Sequence, residues 1–397
     1  MGADRPRAGG APAAALREAW TALWTSRLLV WVAGVGAVWA WGLSSRAPGF
    51  DPAGLTDGPL AAPAARWDAV WYLSIARDGY GDEASTAFFP LYPLLLRALG
   101  GSVLAGTLLS CACLLVALAA LRQLTALELG EEAARWAVLM LAFSPMAFFL
   151  SAVYSESLFL ALTVGAVLAA RRDRWAWAGA LGMLAAATRS TGVLVLVALV
   201  AIAFAGGRRP RARDLAWLAL VPAGLAAFPA GLALAGMDWR APFDAQGVWY
   251  REWAGPLGGV WDGAVAAWAG ARQLVAGAGG RIYFPQAAGD PLAIARINVV
   301  LFLWLVPVAV ALPGVLRRLP LAYGAYVAAS LAVPLSYPAV PQPLMSLPRF
   351  VLVCFPLWMW LGWLLARHRR ARAPALAASA ILLAVSTAQF ATWHFVA

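Results

Sequence analysis

The chain of 397 residues has no lysine, two histidines and three cysteines, and only 12% of it is charged. Each shortage removes a class of chemistry. A histidine-built zinc site or a Ser-His-Asp triad would have only His368 and His394 to draw on. Cys111, Cys113 and Cys354 all lie in or beside apolar segments and make neither a metal set nor a disulfide framework. A soluble globular chain carries about 25% charged residues. Here hydrophobic residues reach 62% and mean hydropathy is +0.74, so the solvent for most of the surface is lipid. The chain reads as a polytopic membrane protein. Its net charge of +11 is carried by arginine alone, a bias that, with the alanine, glycine and proline load, matches the codon usage of a GC-rich bacterium. Basic chains often bind nucleic acid. These arginines fall in short clusters between apolar runs, which topology explains more simply, and no nucleic-acid partner is expected.

Apolar runs near Leu28–Leu43, Leu99–Leu121, Trp136–Val153, Leu158–Ala170, Trp175–Ala187 and Val193–Ala205 are followed by Leu215–Ala235, Leu292–Val315, Leu319–Leu335, Phe350–Ala366 and Pro374–Ala391. They predict an all-α membrane protein of about 11 crossings, with short or broken helices around 158–205. With residues 1–27 placed in the cytoplasm and sides alternating, the inner segments hold nineteen arginines against seven carboxylates. The outer ones hold eleven against twelve. That is the positive-inside pattern. The first 27 residues read as a cytoplasmic segment before an uncleaved first helix, and 28–397 as one transmembrane domain. Two long outer loops, 44–98 and 237–291, are rich in aromatics, proline and aspartate, and function is expected there. A bacterial cell membrane is the expected location, with the site on its outer face.

The densest segment is RWDAVWYLSIARDGY at 66–80. As a helix it stacks Trp67, Val70, Trp71 and Ser74 on one face, with Asp68, Tyr72 and Ile75 on the next, the composition of a short interfacial helix. A partly dehydrated Asp68 suits a group that takes a proton from an incoming hydroxyl. An aspartate that pairs with Arg66 or caps a helix fits the spacing equally well. In AFFPLYPLLLR at 87–97, Pro90 and Pro93 bracket Tyr92 and stiffen the approach to the next helix. Asp78, Asp82 and Glu83 offer hard oxygen ligands for a divalent cation, but a solvated acidic turn is the favoured reading and no metal is expected.

SPMAFFLSAVYSESLF at 144–159 sets Glu156 between apolar runs, where an ionised carboxylate needs a partner, either substrate hydroxyls or a buried arginine. AATRSTG at 186–192 and LMSLPRF at 344–350 place Arg189 and Arg349 at membrane depth, where a guanidinium either anchors packing or meets an anion such as a lipid phosphate. The second loop interleaves aromatic rings with Asp238, Arg240, Asp244, Gln246 and Arg251, as a carbohydrate surface or an interfacial belt would.

Taken in order, RWDAVWYLSIARDGY, FFPLYP, SAVYSESLF, TRSTG and PLMSLPRFVLVCFPLW resemble the GPI mannosyltransferase 2 family, with this chain as a bacterial relative. The resemblance runs from about residue 64 to about residue 360. It implies a GT-C-type membrane core of about 11 helices, with two outer loops containing short interfacial helices. It also implies a polyprenyl-phosphate-mannose donor and inversion at the anomeric carbon; no cofactor is expected, because the sequence has no clean acidic ligand set. Asp68 would be the catalytic carboxylate, and Arg189 and Arg349 the donor-phosphate ligands. Arg66, Trp67, Tyr72, Tyr92, Glu156 and Ser190 would contact substrate. TRSTG carries Thr191 where an asparagine is usual in the family. Because bacteria do not in general make GPI anchors, the expected acceptor is a lipid-linked glycan, a lipoglycan or a protein. The working unit is expected to be a monomer among membrane lipids. A flippase for an anionic lipid-linked sugar, or a non-catalytic glycan-assembly subunit, are the competing readings.

Overall fold

The computed structural model describes residues 12–42, 58–205, 211–285 and 289–397. Among them the regular structure is helical, apart from one isolated antiparallel bridge between Arg251 and Ala339. In chain order the helices are α1 (Pro12–Trp41), α2 (Asp68–Asp78), α3 (Leu91–Ala98), α4 (Val103–Leu129), α5 (Glu131–Ala142) and α6 (Glu156–Arg171). Next come α7 (Trp175–Thr188), α8 (Val195–Phe204), α9 (Ala212–Leu218), α10 (Leu220–Leu234), α11 (Ala241–Val248) and α12 (Gly258–Ala276). The last six are α13 (Pro291–Leu303), α14 (Leu305–Arg318), α15 (Leu321–Ser336), α16 (Leu347–Val353), α17 (Phe355–Arg367) and α18 (Arg369–Ala391).

Local chemistry sets the boundaries. Ser102 caps α4 by accepting from the Ala105 amide at 3.1 Å, and Asp290 caps α13 by accepting from the Leu292 amide at 2.9 Å. Pro291 occupies the first turn of α13, where a missing N–H costs nothing. Between α4 and α5 the chain turns at Gly130 with φ 91°, and Glu131 and Glu132 then face the positive end of α5.

The expected eleven crossings are not met. Among the described residues, five helical stretches are long and apolar enough to span a bilayer: Ala13–Trp41, Val103–Leu129, Ala212–Leu234, Pro291–Arg318 and Arg369–Ala391. A sixth exists only if α16 and α17, bent by 69° at Cys354, count as one span. The other apolar runs fold into shorter pieces. The run at 136–153 breaks after α5 into a turn at Pro145 and a single 3₁₀ turn over Ala147–Leu150. Helices α6, α7 and α15, at 14 to 16 residues, reach only about 21–24 Å against about 30 Å of hydrocarbon. Hydropathy alone does not separate a lipid-facing helix from one apolar because protein surrounds it. Helix α6 is the second kind, buried along almost its whole length. The long helices, by contrast, expose Trp20, Leu28, Leu104, Leu108, Val300 and Ile381.

One continuous apolar core runs from α1 to α18, through α4, α5, α6 and α17. Where α17 crosses α5, a methyl on Gly362 would overlap the Ala133 carbonyl and the Ala137 backbone. The first expected loop is described from residue 58 and carries α2, a 3₁₀ turn and α3; its residues 44–57 lie outside the described residues. The second carries α11 and the 19-residue α12.

Candidate active site

The site begins with a strained residue. Trp67 holds φ 55° just before α2, a conformation that costs a non-glycine residue about 1–3 kcal/mol unless its surroundings enforce it. They do. Its indole lies edge-on to Trp393 and Phe395, and Tyr154 bolts the turn from beneath. The Tyr154 hydroxyl donates to the Arg66 carbonyl at 3.0 Å and accepts from the Asp68 amide at 3.1 Å. Asp68 thus opens α2 with its side chain about 25% exposed.

Four charged groups then form a chain. Arg349 Nη1 donates to Asp68 Oδ2 at 2.6 Å, and its Nε and Nη2 both reach Glu156 Oε1 at 2.8 Å. Arg189 Nη1 donates to the same Glu156 oxygen at 2.9 Å. Glu156, at the start of α6, is fully buried, and its other oxygen has no hydrogen-bond partner among the described residues. The Arg349 guanidinium also lies over the rings of Tyr154 and Phe149, at 4.9 and 5.1 Å. Two local devices aim the arginines. Arg349 sits in the first turn of α16, after Ser346 in the left-handed region at φ 68° and Pro348. Arg189 ends α7 in extended backbone, where the chain doubles back so closely that a methyl on Gly192 would strike the Ala185 carbonyl.

Asp68, Arg189 and Arg349 border a cavity of about 880 Å³, within the range of small-molecule sites. Its wall includes Trp67, Asp68, Tyr72, Arg189, Ser190, Trp249, Arg251, Arg349 and Phe350. A shallower apolar depression of about 490 Å³ along α10 shares Leu225 and Phe243 with it. Burial, with the Glu156 charge behind it, pushes the Tyr72 phenol up to about 12, so it stays a neutral hydroxyl, bonded to Ser155 Oγ at 2.8 Å. Burial pulls Arg251 down to about 10, and the nearby Arg349 and Arg189 charges add to the effect. It is still a cation at neutral pH.

The structure brings Asp68, Arg189 and Arg349 together around Glu156, and Trp67, Tyr72 and Ser190 lie on the cavity wall. Arg66, Tyr92 and Glu156, expected to contact substrate, sit behind that wall with no exposed surface. Arg66 donates to the carbonyls of Ala391 and Ala65 and stacks on Trp393, while Tyr92 bonds Ser110 at 2.8 Å. Asp78, Asp82 and Glu83 are absent from the cavity wall; Asp78 pairs with Arg77 at 3.0 Å and Asp82 accepts from the Ser85 amide at 2.8 Å. Among the described residues no group of three or more His, Cys, Asp or Glu could hold a metal ion. Tyr154 had no place in the expected site, and Arg251 was expected only as part of a carbohydrate surface or interfacial belt in the second loop. Tyr154 stands two residues before Glu156, a proximity that was the one available signal.

Comparison with known proteins bears on the first half of this site. Residues 43–206 match a family model described as mannosyltransferase (PIG-V), a segment that contains Asp68, Glu156 and Arg189. The GPI alpha-1,6-mannosyltransferase 2 of the rat is 37% identical over 166 residues, 37% of this chain and 34% of the relative. The human protein of that name is 35% identical over 165 residues, again 37% and 34%. The GPI mannosyltransferase 2 of Drosophila melanogaster is 34% identical over 108 residues, 23% of this chain and 24% of the relative. The chain therefore spans about a third of the length of the mammalian relatives it matches. No solved structure matches it. These relatives are mammalian and insect, which overturns the expectation of a bacterial relative in a bacterial cell membrane. Arginine in place of lysine tracks base composition and is no marker of lineage. A multi-pass membrane protein stays consistent with the long apolar helices.

Proposed function

We propose that this chain is a mannosyltransferase that moves mannose from a lipid-phosphate carrier to a GPI-type lipid-linked glycan. The observation that carries the reading is a partly exposed carboxylate, Asp68, on the wall of a cavity and gripped by an arginine, in a segment that matches mannosyltransferases. The relatives' names support mannose as the sugar, and favour a GPI-type acceptor over a lipoglycan or a protein.

The chemistry follows from the geometry. Arg349 engages one oxygen of Asp68, and the other accepts no hydrogen bond among the described residues. That second oxygen takes the proton of the acceptor hydroxyl while the hydroxyl oxygen attacks the anomeric carbon. The bond from that carbon to the carrier phosphate breaks, and its electron pair leaves with the phosphate. One displacement inverts the configuration. Arg189 and Arg349 stand on the same wall to stabilise the negative charge that gathers on the phosphate. Trp67 and Tyr72 supply flat and hydroxylic surface for the sugars.

Membranes containing the chain, given a labelled prenyl-phosphate-mannose donor, test the reading. Asp68→Asn is expected to fold and insert, yet to lose about 10²–10⁴ in transfer rate. Near-normal transfer by that variant, or lipid flux with no covalent product in the wild type, would refute it.

A further inference from the structure

Charge bookkeeping within the cavity gives an outcome the sequence did not anticipate. Asp68 and Glu156 contribute two negative charges, and Arg189 and Arg349 two positive ones, all in direct contact. That set is neutral, so the two arginines alone offer an incoming anion little net attraction. The uncompensated cation is Arg251. It lines the same cavity from the segment between α11 and α12, and no carboxylate lies within ion-pair distance of it among the described residues. Asp244 also lines the cavity, but it is exposed and solvent screens its charge.

Arg251 is held by its own backbone and side chain. Its amide donates to the Gln246 carbonyl at 2.9 Å, and it bridges antiparallel to Ala339. Nη1 donates to the Tyr337 carbonyl at 3.1 Å and Nη2 to the Met345 carbonyl at 3.0 Å. A guanidinium has five N–H donors, so three remain after these contacts. The Phe350 ring ties it to the others: Arg251 lies 5.8 Å from its centroid, Arg189 lies 5.9 Å from it, and Arg349 is the preceding residue. Two guanidiniums therefore flank one ring on the cavity wall, and the third belongs to the residue next to it.

We propose that Arg251 supplies the net charge that seats a lipid-borne phosphate in this cavity, with Arg189 and Arg349 flanking it. The inference rests on the lipid-phosphate reading for its ligand, but it does not depend on sugar transfer. It adds a residue outside the segment that matches the mannosyltransferase model. It also gives the second loop a definite task, because Arg251 reaches the cavity only through the Tyr337 and Met345 carbonyls that fix it.

The test is binding of three probes to the purified full-length chain in nanodiscs: citronellyl phosphate, the uncharged alcohol citronellol, and inorganic phosphate. Wild type is expected to prefer citronellyl phosphate to both others. Arg251→Met should weaken citronellyl phosphate at least ten-fold and leave citronellol unchanged, and Arg251→Lys should recover part of the loss. Thermal melts of Arg251→Gln, which keeps a donor and removes the charge, separate charge from loop stapling: a melt near wild type with the same binding loss supports the proposal. It is overturned if Arg251→Met binds citronellyl phosphate like wild type or loses both lipids equally. It is overturned too if inorganic phosphate binds as tightly as the lipid, or if wild type does not bind citronellyl phosphate. Wild type that binds the lipid phosphate but transfers no sugar would sink the proposed activity and leave the Arg251 assignment standing.

Discussion

Helix α6 has a carboxylate–arginine cluster at each end, and the two are built on opposite principles. At its C-terminus Arg171 meets Glu128 of α4 with Nε at 2.5 Å and Nη2 at 3.4 Å, while the Tyr323 hydroxyl donates to Glu128 at 2.7 Å. Both oxygens of Glu128 are used, and the three groups join α4, α6 and α15. At its N-terminus one oxygen of Glu156 takes every donor and the other takes none. The first cluster leaves neither carboxylate oxygen of Glu128 without a donor. The second borders a cavity and leaves hydrogen-bonding capacity unspent, an arrangement that costs stability and that a purely structural tie has no use for. Similar residues thus serve packing at one end and, in our reading, chemistry at the other.

Three substitutions probe that contrast, from the largest expected effect to the smallest. Glu156→Gln removes the buried negative charge that two guanidiniums share. Breaking a buried ion pair from one side costs about 3–5 kcal/mol, so a large drop in melting temperature is expected together with loss of transfer. A Glu156→Asp variant that regains stability but not turnover would show that Glu156 also positions Arg349. Wild-type turnover in Glu156→Gln would dissolve the distinction between the two ends. Tyr154→Phe removes one hydroxyl that serves both the Arg66 carbonyl and the Asp68 amide. Unsatisfied buried groups of this kind cost about 1–3 kcal/mol. We expect kcat to fall about ten-fold with donor KM nearly constant, because the turn that aims Asp68 loosens while the cavity stays. Equal changes in kcat and KM would assign Tyr154 to binding instead. Glu128→Gln should lower stability by about 1–2 kcal/mol, from lost charge-assisted hydrogen bonds. Its donor KM and kcat, measured below the melting transition, should match wild type. An altered KM would mean that the far cluster is coupled to the site.

Much of the site was legible before any coordinates. Asp68, Arg189, Arg349 and Glu156 stand out because ionisable residues are expensive amid apolar sequence, and each had to meet a partner. What the sequence did not show was which partner. Glu156 could equally have met sugar hydroxyls, and only the fold, which brings α16 to α6 across 193 positions, shows that it meets arginine. Arg251 was named only as one of several polar residues of the second loop. In a loop already rich in aromatics and charges, nothing local shows that this arginine is the one that reaches the cavity beside Arg189 and Arg349. Helix count was misjudged through a single physical confusion: apolar runs such as 158–170 are equally apolar whether they face lipid or lie wrapped in other helices. In the acidic turn at 78–83, Asp82 is engaged by a neighbouring backbone amide.

The double anchoring of α6 has a mechanical corollary. Residues advance about 100° and 1.5 Å per step along a helix, so shifting this rod by one position would swing Glu156 away from Arg189 and Arg349 and Arg171 away from Glu128 together. The two locks veto each other's slippage. Helix α6 therefore works as a fixed ruler inside the bundle, holding Glu156 and Arg171 at a set separation, each in register with the helices that carry its partners.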